Sequence, residues 1–587
     1  MHNITYWGTL IVFSAMMSVI CSLPDIYALA KNPERWVPVN SPPWMIGDDY
    51  HYFSILNLLH RKMLNSLFGY EYKTMPFALF HYFLMVGHVF NLIPFHIGYL
   101  LRDRRYGVLF VRLWNSFWLL FGLLVLSRFW LLQLHTDVTP AMLCSVVIIY
   151  FICYPGPIGY LFINSILANF YKDKHIYKYS QANDLLRALH MGTTATLMVW
   201  ATIYLVNVFC GAPITTFAFV LLCLVSGLLF FVYFPVAIVF NSMYCALLYI
   251  NHDYFLCGLW SITCIVISFT YLYVLRYDTV SKEFFAHSDG GRFFNMNKLF
   301  IANTLLVLLF PTSLFMLFKY GPIPRTFILI YVISSVYSVS CMLYKHQGNR
   351  FWVRGSVVIY QLCVIVSICA LFYAIVPKEI DNLAEILCPF LLIVLAIYFY
   401  RNSKQLFTIG ATLAPEWIDM DLITRRRDRI IKSKIIATDS IELGYYFPLY
   451  TGDHSLLNNY SIQNLGYKEH LKEILLNFLL CGYQKQDICG FFRVETSYEH
   501  WVDDRTDIIH RPDFAYHAYM HTLRYMMCNL EYNQAVIDDG MFQNGKWTEK
   551  MLNFISVTID SVILNLETVD AVILSPNNLK TNIGINA

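Results

Sequence analysis

Pro42-Pro43-Trp44-Met45-Ile46-Gly47-Asp48-Asp49-Tyr50-His51-Tyr52-Phe53 is the stretch from which the rest of the chain is read. It sets two adjacent carboxylates just past the first hydrophobic segment of a mostly apolar chain. Two prolines and a glycine precede the acids, so the backbone turns before reaching them. Beyond them, Tyr52, Ile55, Leu56 and Leu59 recur at helical spacing, which predicts a helix lying along a membrane surface. Acids at the start of such a helix sit at the positive end of its dipole, where negative charge is favoured.

Composition sets the frame around that loop. The chain has 587 residues, of which 57% are hydrophobic and 14% charged, with a mean hydropathy of +0.50. A soluble fold of this length cannot bury that much apolar surface, so the expected class is a polytopic α-helical membrane protein. The net charge of +3 does not suggest a nucleic-acid partner. Twelve of the 15 cysteines fall in the hydrophobic part, where Cys acts as a small apolar residue, and no spacing there resembles a metal site. Residues 6–23 lack a basic lead and a clear small-residue cleavage site, and read as a retained first span.

Outward from the acids, residues 24–76 form a long polar loop. A second span is expected over 77–101, stopping at Arg102-Asp103-Arg104-Arg105. The positive-inside rule places that cluster in the cytoplasm, which puts Asp48 and Asp49 on the outer side. Further spans are expected over 108–133, 141–171 (broken by Pro155-Gly156-Pro157), 191–210, 214–235, 236–250, 256–275, 299–318, 326–344, 355–376 and 383–400. Counting the broken stretch once gives 12 spans, and counting it twice gives 13 with the C-terminus on the opposite side. Residues 401–587 have ordinary charge. Strand-like runs at 435–438 and 571–574 and a helical run at 469–480 predict a small C-terminal α/β-type domain, expected to be periplasmic.

Adjacent carboxylates on a helix point about 100° apart, so one can act while the other supports. A carboxylate at the membrane surface can take a proton from a hydroxyl or help hold a divalent cation. The plainer reading is that Asp48-Asp49 caps the surface helix. In the second span His81, His88 and His96 lie near one helix face and read as buried, hydrogen-bonded histidines or as a polar path. Cys481 and Cys489 would be able to pair in an oxidising compartment. The acidic pairs Asp503-Asp504 and Asp538-Asp539 read as solvated turns.

The layout resembles the GT-C superfamily of membrane glycosyltransferases. The residues that carry the likeness are Asp48-Asp49 in the first loop and the helix expected after them. Tyr154-Pro155-Gly156-Pro157, the run Ser226 to Pro235, and Ile436-Ala437-Thr438-Asp439-Ser440 followed by Tyr446 to Gly452 add to it. The resemblance implies a polyprenyl-phosphate-linked sugar donor, a glycan, lipid or protein acceptor, and inverting transfer on the outer face of a bacterial inner membrane. Carried over, Asp48 is the base and Asp49 its support. His51, Tyr52, Arg61, Lys62, Arg292 and Arg354 are candidates for the substrate and its phosphate, with Lys282, Arg350 and the basic run from Arg425 as further cations. A divalent cation, Mg or Mn, is an option at Asp48, Asp49 and Asp137. No Gly-rich phosphate loop is present, consistent with a donor that is not a soluble nucleotide sugar. From other classes, a lipid-linked glycan transporter or flippase predicts paired inverted repeats, and one Pro-broken segment without a partner is found. An O-antigen polymerase or ligase predicts a large late loop between spans, whereas here the late polar mass follows the last span.

Overall fold

A computed structural model describes residues 2–38, 88–132 (102 and 103 apart), 138–153, 190–209, 234–277 (251 apart), 383–414 (409 and 411 apart), 435–438, 454–455 and 571–573. It also describes most of 468–489 and 536–564, together with 365, 366 and 369. The described residues are mostly helical. The helices are α1 (His2–Cys21), α2 (Leu23–Lys31), α3 (His88–Leu101), α4 (Arg104–Leu131), α5 (Pro140–Cys153), α6 (His190–Phe209), α7 (Phe234–Ile250), α8 (Tyr254–Tyr277), α9 (Leu383–Thr408) and α10 (Glu549–Leu564).

Three of these are long and apolar enough to cross a membrane: Ile4–Cys21, Arg105–Phe129 and Leu383–Thr408. Their surfaces match that assignment. In α9, Ile386, Phe390, Ile393 and Ile397 stand exposed along one stripe, while Leu395, Phe399, Ser403 and Leu406 are buried. Exposed Val12 and Ile11 on α1, and Phe255, Ile262 and Val266 on α8, repeat the pattern. A continuous coat of exposed aliphatic side chains suits hydrocarbon and would be unfavourable in water.

The predicted spans over 191–210, 236–250 and 256–275 coincide closely with α6, α7 and α8. The Pro-broken stretch begins with α5, which ends at Cys153 just before Pro155. The predicted spans over 214–235, 299–318 and 326–344 lie largely or wholly outside the described residues. One boundary is corrected: the loop expected from residue 24 starts with helix α2. Pro24 sits in its first turn, where no intrahelical N–H is needed, Asp25 lies at its positive end and Lys31 at its negative end.

The core forms where α1, α4, α5, α6 and α9 meet, through Leu10, Met17, Leu120, Leu124, Val147, Tyr150 and Phe399. Glycines let α3 and α4 approach closely. A Cβ on Gly98 would fall onto the Tyr106 carbonyl oxygen, and one on Gly107 would lie 2.7 Å from that of Phe95. Helix α4 runs antiparallel to α1. Ser18 Oγ donates to the Leu113 carbonyl at 3.0 Å near one end, and the Arg128 guanidinium stacks over Tyr6 and Trp7, at 5.5 and 5.4 Å, toward the other.

That pairing sets two ends side by side that the sequence reading had separated. The positive-inside argument put the basic cluster before α4 and the loop after α1 on opposite sides. The structure brings the start of α4 and the end of α1 together, with Arg105 donating to the carbonyls of Pro33, Glu34 and Trp36. The physical reason is that Arg105 is buried and committed to backbone carbonyls, so it is not a free loop charge of the kind the rule counts. The chain also leaves α9 at this same end, because Val37 N–H donates to the Thr412 carbonyl at 3.0 Å and Ala414 N–H to that of Arg35 at 2.7 Å.

Beyond α9, β1 (Ile435–Thr438) pairs in parallel with both β2 (His454–Ser455) and β5 (Ala571–Ile573), in the order β2-β1-β5. A second, antiparallel pair joins β3 (Phe542–Gln543) to β4 (Lys546–Trp547). The Asn477 side chain bonds both the N–H and the carbonyl of Thr438, at 2.8 and 2.7 Å, and so ties the helical run 474–480 to β1. Cys481 and Cys489 are free thiols, Cys481 packing against Ala437. Asp539 pairs with Lys468 at 2.8 Å, in keeping with a solvated turn.

The shared end of α1, α4 and α9 gives a direct expectation. Cysteines introduced at exposed Glu34 and Gln405 will react with a membrane-impermeant maleimide from the same side of sealed vesicles. Labelling of the two from opposite sides would contradict this packing.

Candidate functional site

Two features of the described residues can carry chemistry, and both are built on α4. The first is a clasp at the end where the acidic loop begins. Asp25 of α2 and Arg112 of α4 form an ion pair that is almost wholly buried. A lone carboxylate or guanidinium in that position would face a desolvation cost of several kcal/mol, so each requires the other. Trp36 is fully buried above them and points its indole N–H at Asp25 Oδ1 across 3.5 Å. Its ring meets Tyr106 edge-on at 5.5 Å, and the Arg105 guanidinium lies 5.6 Å from its centre.

Arg105 collects three carbonyls of the turn that follows α2, at 3.0, 3.1 and 2.9 Å. Arg35 Nη2 donates to the Ala414 carbonyl at 2.7 Å, and Trp36 pairs with Leu413 as an antiparallel bridge. The root of the first loop is thus tied to α4 and to the segment leaving α9. Asp48 lies eleven residues beyond Val37 in the sequence.

The second feature is a groove of about 260 Å³ between α3, α4 and α6, lined by Phe90, Trp114, Asn115, Trp118, Thr193, Thr196, Leu197 and Trp200. Gly122 lets α6 approach, since a Cβ there would meet Val199 Cγ1 at 2.8 Å. Beneath the indoles, Asn115 Nδ2 donates to Asn91 Oδ1 and Thr193 Oγ1, both at 3.0 Å. Asn91 Nδ2 donates to Thr193 Oγ1 at 2.9 Å, and Thr196 Oγ1 to the Asn115 carbonyl at 3.2 Å. Because these amides and hydroxyls bond one another, the wall offered to a ligand is mainly aromatic. Trp200 Nε1 donates to the Trp118 carbonyl at 3.1 Å, while the buried Trp118 Nε1 has no hydrogen-bond partner among the described residues. Phe90 and Trp114 are nearly half exposed, so the groove opens toward the lipid-facing surface.

The residues singled out from the sequence, Asp48, Asp49, His51, Tyr52, Arg61, Lys62, Asp137, Arg292 and Arg354, lie outside the described residues. So do His81, Lys282, Arg350 and the run from Arg425. His96 is half-buried on α3. Among the described residues no group of three or more His, Cys, Asp or Glu is placed to hold a metal ion.

Sequence reading missed Asp25, Arg112 and the Asn91–Asn115–Thr193 network. A signal was present: Arg112 and Asn115 interrupt the apolar middle of a 25-residue span, and polar residues at that depth need partners. No protein-family model matches the chain, and no curated protein matches it.

The ion pair sets the stability of this end. Asp25→Asn should cost about 3–5 kcal/mol, because Arg112 keeps its charge without a buried counterion. The double variant Asp25→Leu, Arg112→Met should recover much of that loss. Thermal unfolding in detergent checks both, and a full additive loss in the double variant would contradict the pairing.

Proposed function

We propose that this chain is a GT-C-like membrane glycosyltransferase. It transfers a sugar from a polyprenyl-phosphate-linked donor to a hydroxyl of a glycan, lipid or protein acceptor. In this reading residues 1–400 form the transmembrane part, and residues 401–587 a small α/β-type domain on the same side as the acidic loop. That side is the outer face of the membrane, where a lipid-borne donor supplies sugar without a soluble nucleotide carrier.

The observation that carries the reading is the arrangement along α4. The root of the acidic loop is held at its first turn by Arg105, and the aromatic groove starts about 14 Å further along the axis, at Trp114. A lipid-linked sugar has that same division, with a polar head at the membrane surface and an apolar tail at depth. The exit of the segment after α9 beside the loop root supports a role for the C-terminal region in covering the head or the acceptor.

The chemistry needs few parts. The Asp48 carboxylate takes the proton of the acceptor hydroxyl as its oxygen attacks the anomeric carbon. The bond from that carbon to the phosphate oxygen breaks, and polyprenyl phosphate leaves with the electron pair. Attack opposite to the leaving group inverts the configuration. Asp49 supports the base, and Arg61, Lys62, Arg292 and Arg354 are the cations proposed for the phosphate.

The test uses purified protein in liposomes and a panel of polyprenyl-phosphate sugars with candidate acceptors. Wild type releases polyprenyl phosphate, and Asp48→Asn lowers the rate about 100-fold or more with folding intact. Trp118→Ala raises KM for the lipid-linked donor several-fold while kcat is kept. Full activity in Asp48→Asn removes the base. Donor movement across the bilayer without release would make the chain a transporter.

A further inference from the structure

We propose that Arg128, Tyr6 and Trp7 form a headgroup site for an anionic phospholipid, at the end of α4 away from the root of the acidic loop. The site is independent of the glycosyltransferase reading and uses a different part of the same helix.

Position along α4 separates its arginines. Arg105 and Arg128 lie about 35 Å apart on the helix axis, slightly more than the roughly 30 Å of bilayer hydrocarbon. One arginine therefore stands at each headgroup level, and their surroundings differ. Arg105 is buried and donates to backbone carbonyls, while Arg112 has Asp25. Arg128 is half-buried, and no carboxylate among the described residues pairs with it. Its guanidinium lies 5.5 Å from the ring centre of Tyr6 and 5.4 Å from that of Trp7, and those rings meet edge-on at 5.7 Å. Aromatic rings hold a cation without accepting its in-plane N–H donors, so the fork stays available to oxygen. The C-terminal end of the helix dipole accounts for a positive charge in this last turn, but not for two rings supplied by a neighbouring helix.

The apolar half of the site follows directly. Trp118, Phe121, Val125 and Arg128 succeed one another at steps of three and four, which keeps them on one face of α4. Trp7 meets Phe121 at 6.3 Å, and Phe121 meets Trp118 at 6.3 Å, so the aromatic surface runs unbroken from the cation inward. On α1 a Cβ added at Gly8 would find no atom within 4 Å, and Ile4 and Ile11 are exposed, so the surface beside Trp7 is open to lipid. From Arg128 to Trp118 is about 15 Å along the helix, half the hydrocarbon thickness and so the depth one acyl chain reaches. A phosphate diester at Arg128, with its chain along Val125 and Phe121, matches both halves. Its oxygens accept charge-assisted hydrogen bonds from the guanidinium. A net negative headgroup fits better than a zwitterionic one, whose ammonium would be set beside a guanidinium.

Full-length protein in phosphatidylcholine liposomes decides the matter. A small fraction of phosphatidylglycerol carries a diazirine close to its glycerol, and modified peptides are mapped after illumination. Wild type should be labelled saturably on the α1 peptide that holds Tyr6 and Trp7, with unlabelled phosphatidylglycerol competing. A phosphatidylcholine probe of the same design should label that peptide at least fivefold less. Arg128→Ala should bring the phosphatidylglycerol signal down to the phosphatidylcholine level. Equal labelling by the two probes in wild type would overturn the site without recourse to any variant. Undiminished labelling in Arg128→Ala would overturn it as well. Competition by polyprenyl phosphate but not by phosphatidylglycerol would overturn the phospholipid assignment and give the site to the donor.

Discussion

A buried charge on a membrane helix is the constraint on which this end of the molecule depends. Arg112 sits about two turns inside α4, almost without exposure, and Asp25 balances it. That requirement keeps the chain leaving α1 against α4, as α2, instead of running out into solvent. Once α2 lies against α4, the turn that follows it lies beside Arg105, two turns from Arg112, which donates to the carbonyls of Pro33, Glu34 and Trp36. Trp36 then fills the space between the two arginines and carries its strand edge to Leu413. Ion pair, capped helix end and interstrand bridge form one chain of consequences.

The same helix does a second, different task deeper in the bundle. Its polar residues Asn115 and Ser116 face inward, and Asn115 is fully engaged with Asn91 and Thr193. Hydrogen bonds of this kind fix helix rotation in an apolar medium, where burial alone does not distinguish one apolar face from another. With rotation fixed, Trp114 and Trp118 are aimed at α6, and Trp200 meets Trp118 at 5.7 Å. A groove walled by indoles holds its shape better than one walled by flexible aliphatic chains, because each ring has only two rotatable bonds. An apolar tail suits such a wall, because the amides and hydroxyls behind the indoles are already paired with one another.

What was legible in the sequence follows from how local each signal is. Helices α1, α4 and α9 announce themselves through 18-residue stretches of high mean hydropathy, a signal contained within each segment. The runs Ile435–Thr438 and Ala571–Ile573 were readable as strands, but their parallel pairing, across more than 130 residues, was not. The clasp was illegible for the same reason. Its bonds run from a guanidinium to backbone carbonyls, and carbonyls have no sequence signature. That the start of α4 lies beside the loop root was not legible either, because Arg105 reads in the sequence as a solvated loop charge, whereas packing against Trp36 engages it. Of the candidate site, the acidic residues read from the sequence lie outside the described residues. The groove was not legible, because its tryptophans come from two helices more than 80 residues apart.

The most direct test of the account is photo-cross-linking with a polyprenyl phosphate carrying a diazirine near the end of its chain, followed by mapping of the modified residues. The account predicts saturable labelling on the α4 and α6 peptides that contain Trp114, Trp118 and Trp200, suppressed by excess unlabelled polyprenyl phosphate. Labelling spread over the outward stripes of α8 and α9, with no saturation, would show that the groove does not hold the lipid and would contradict the central claim.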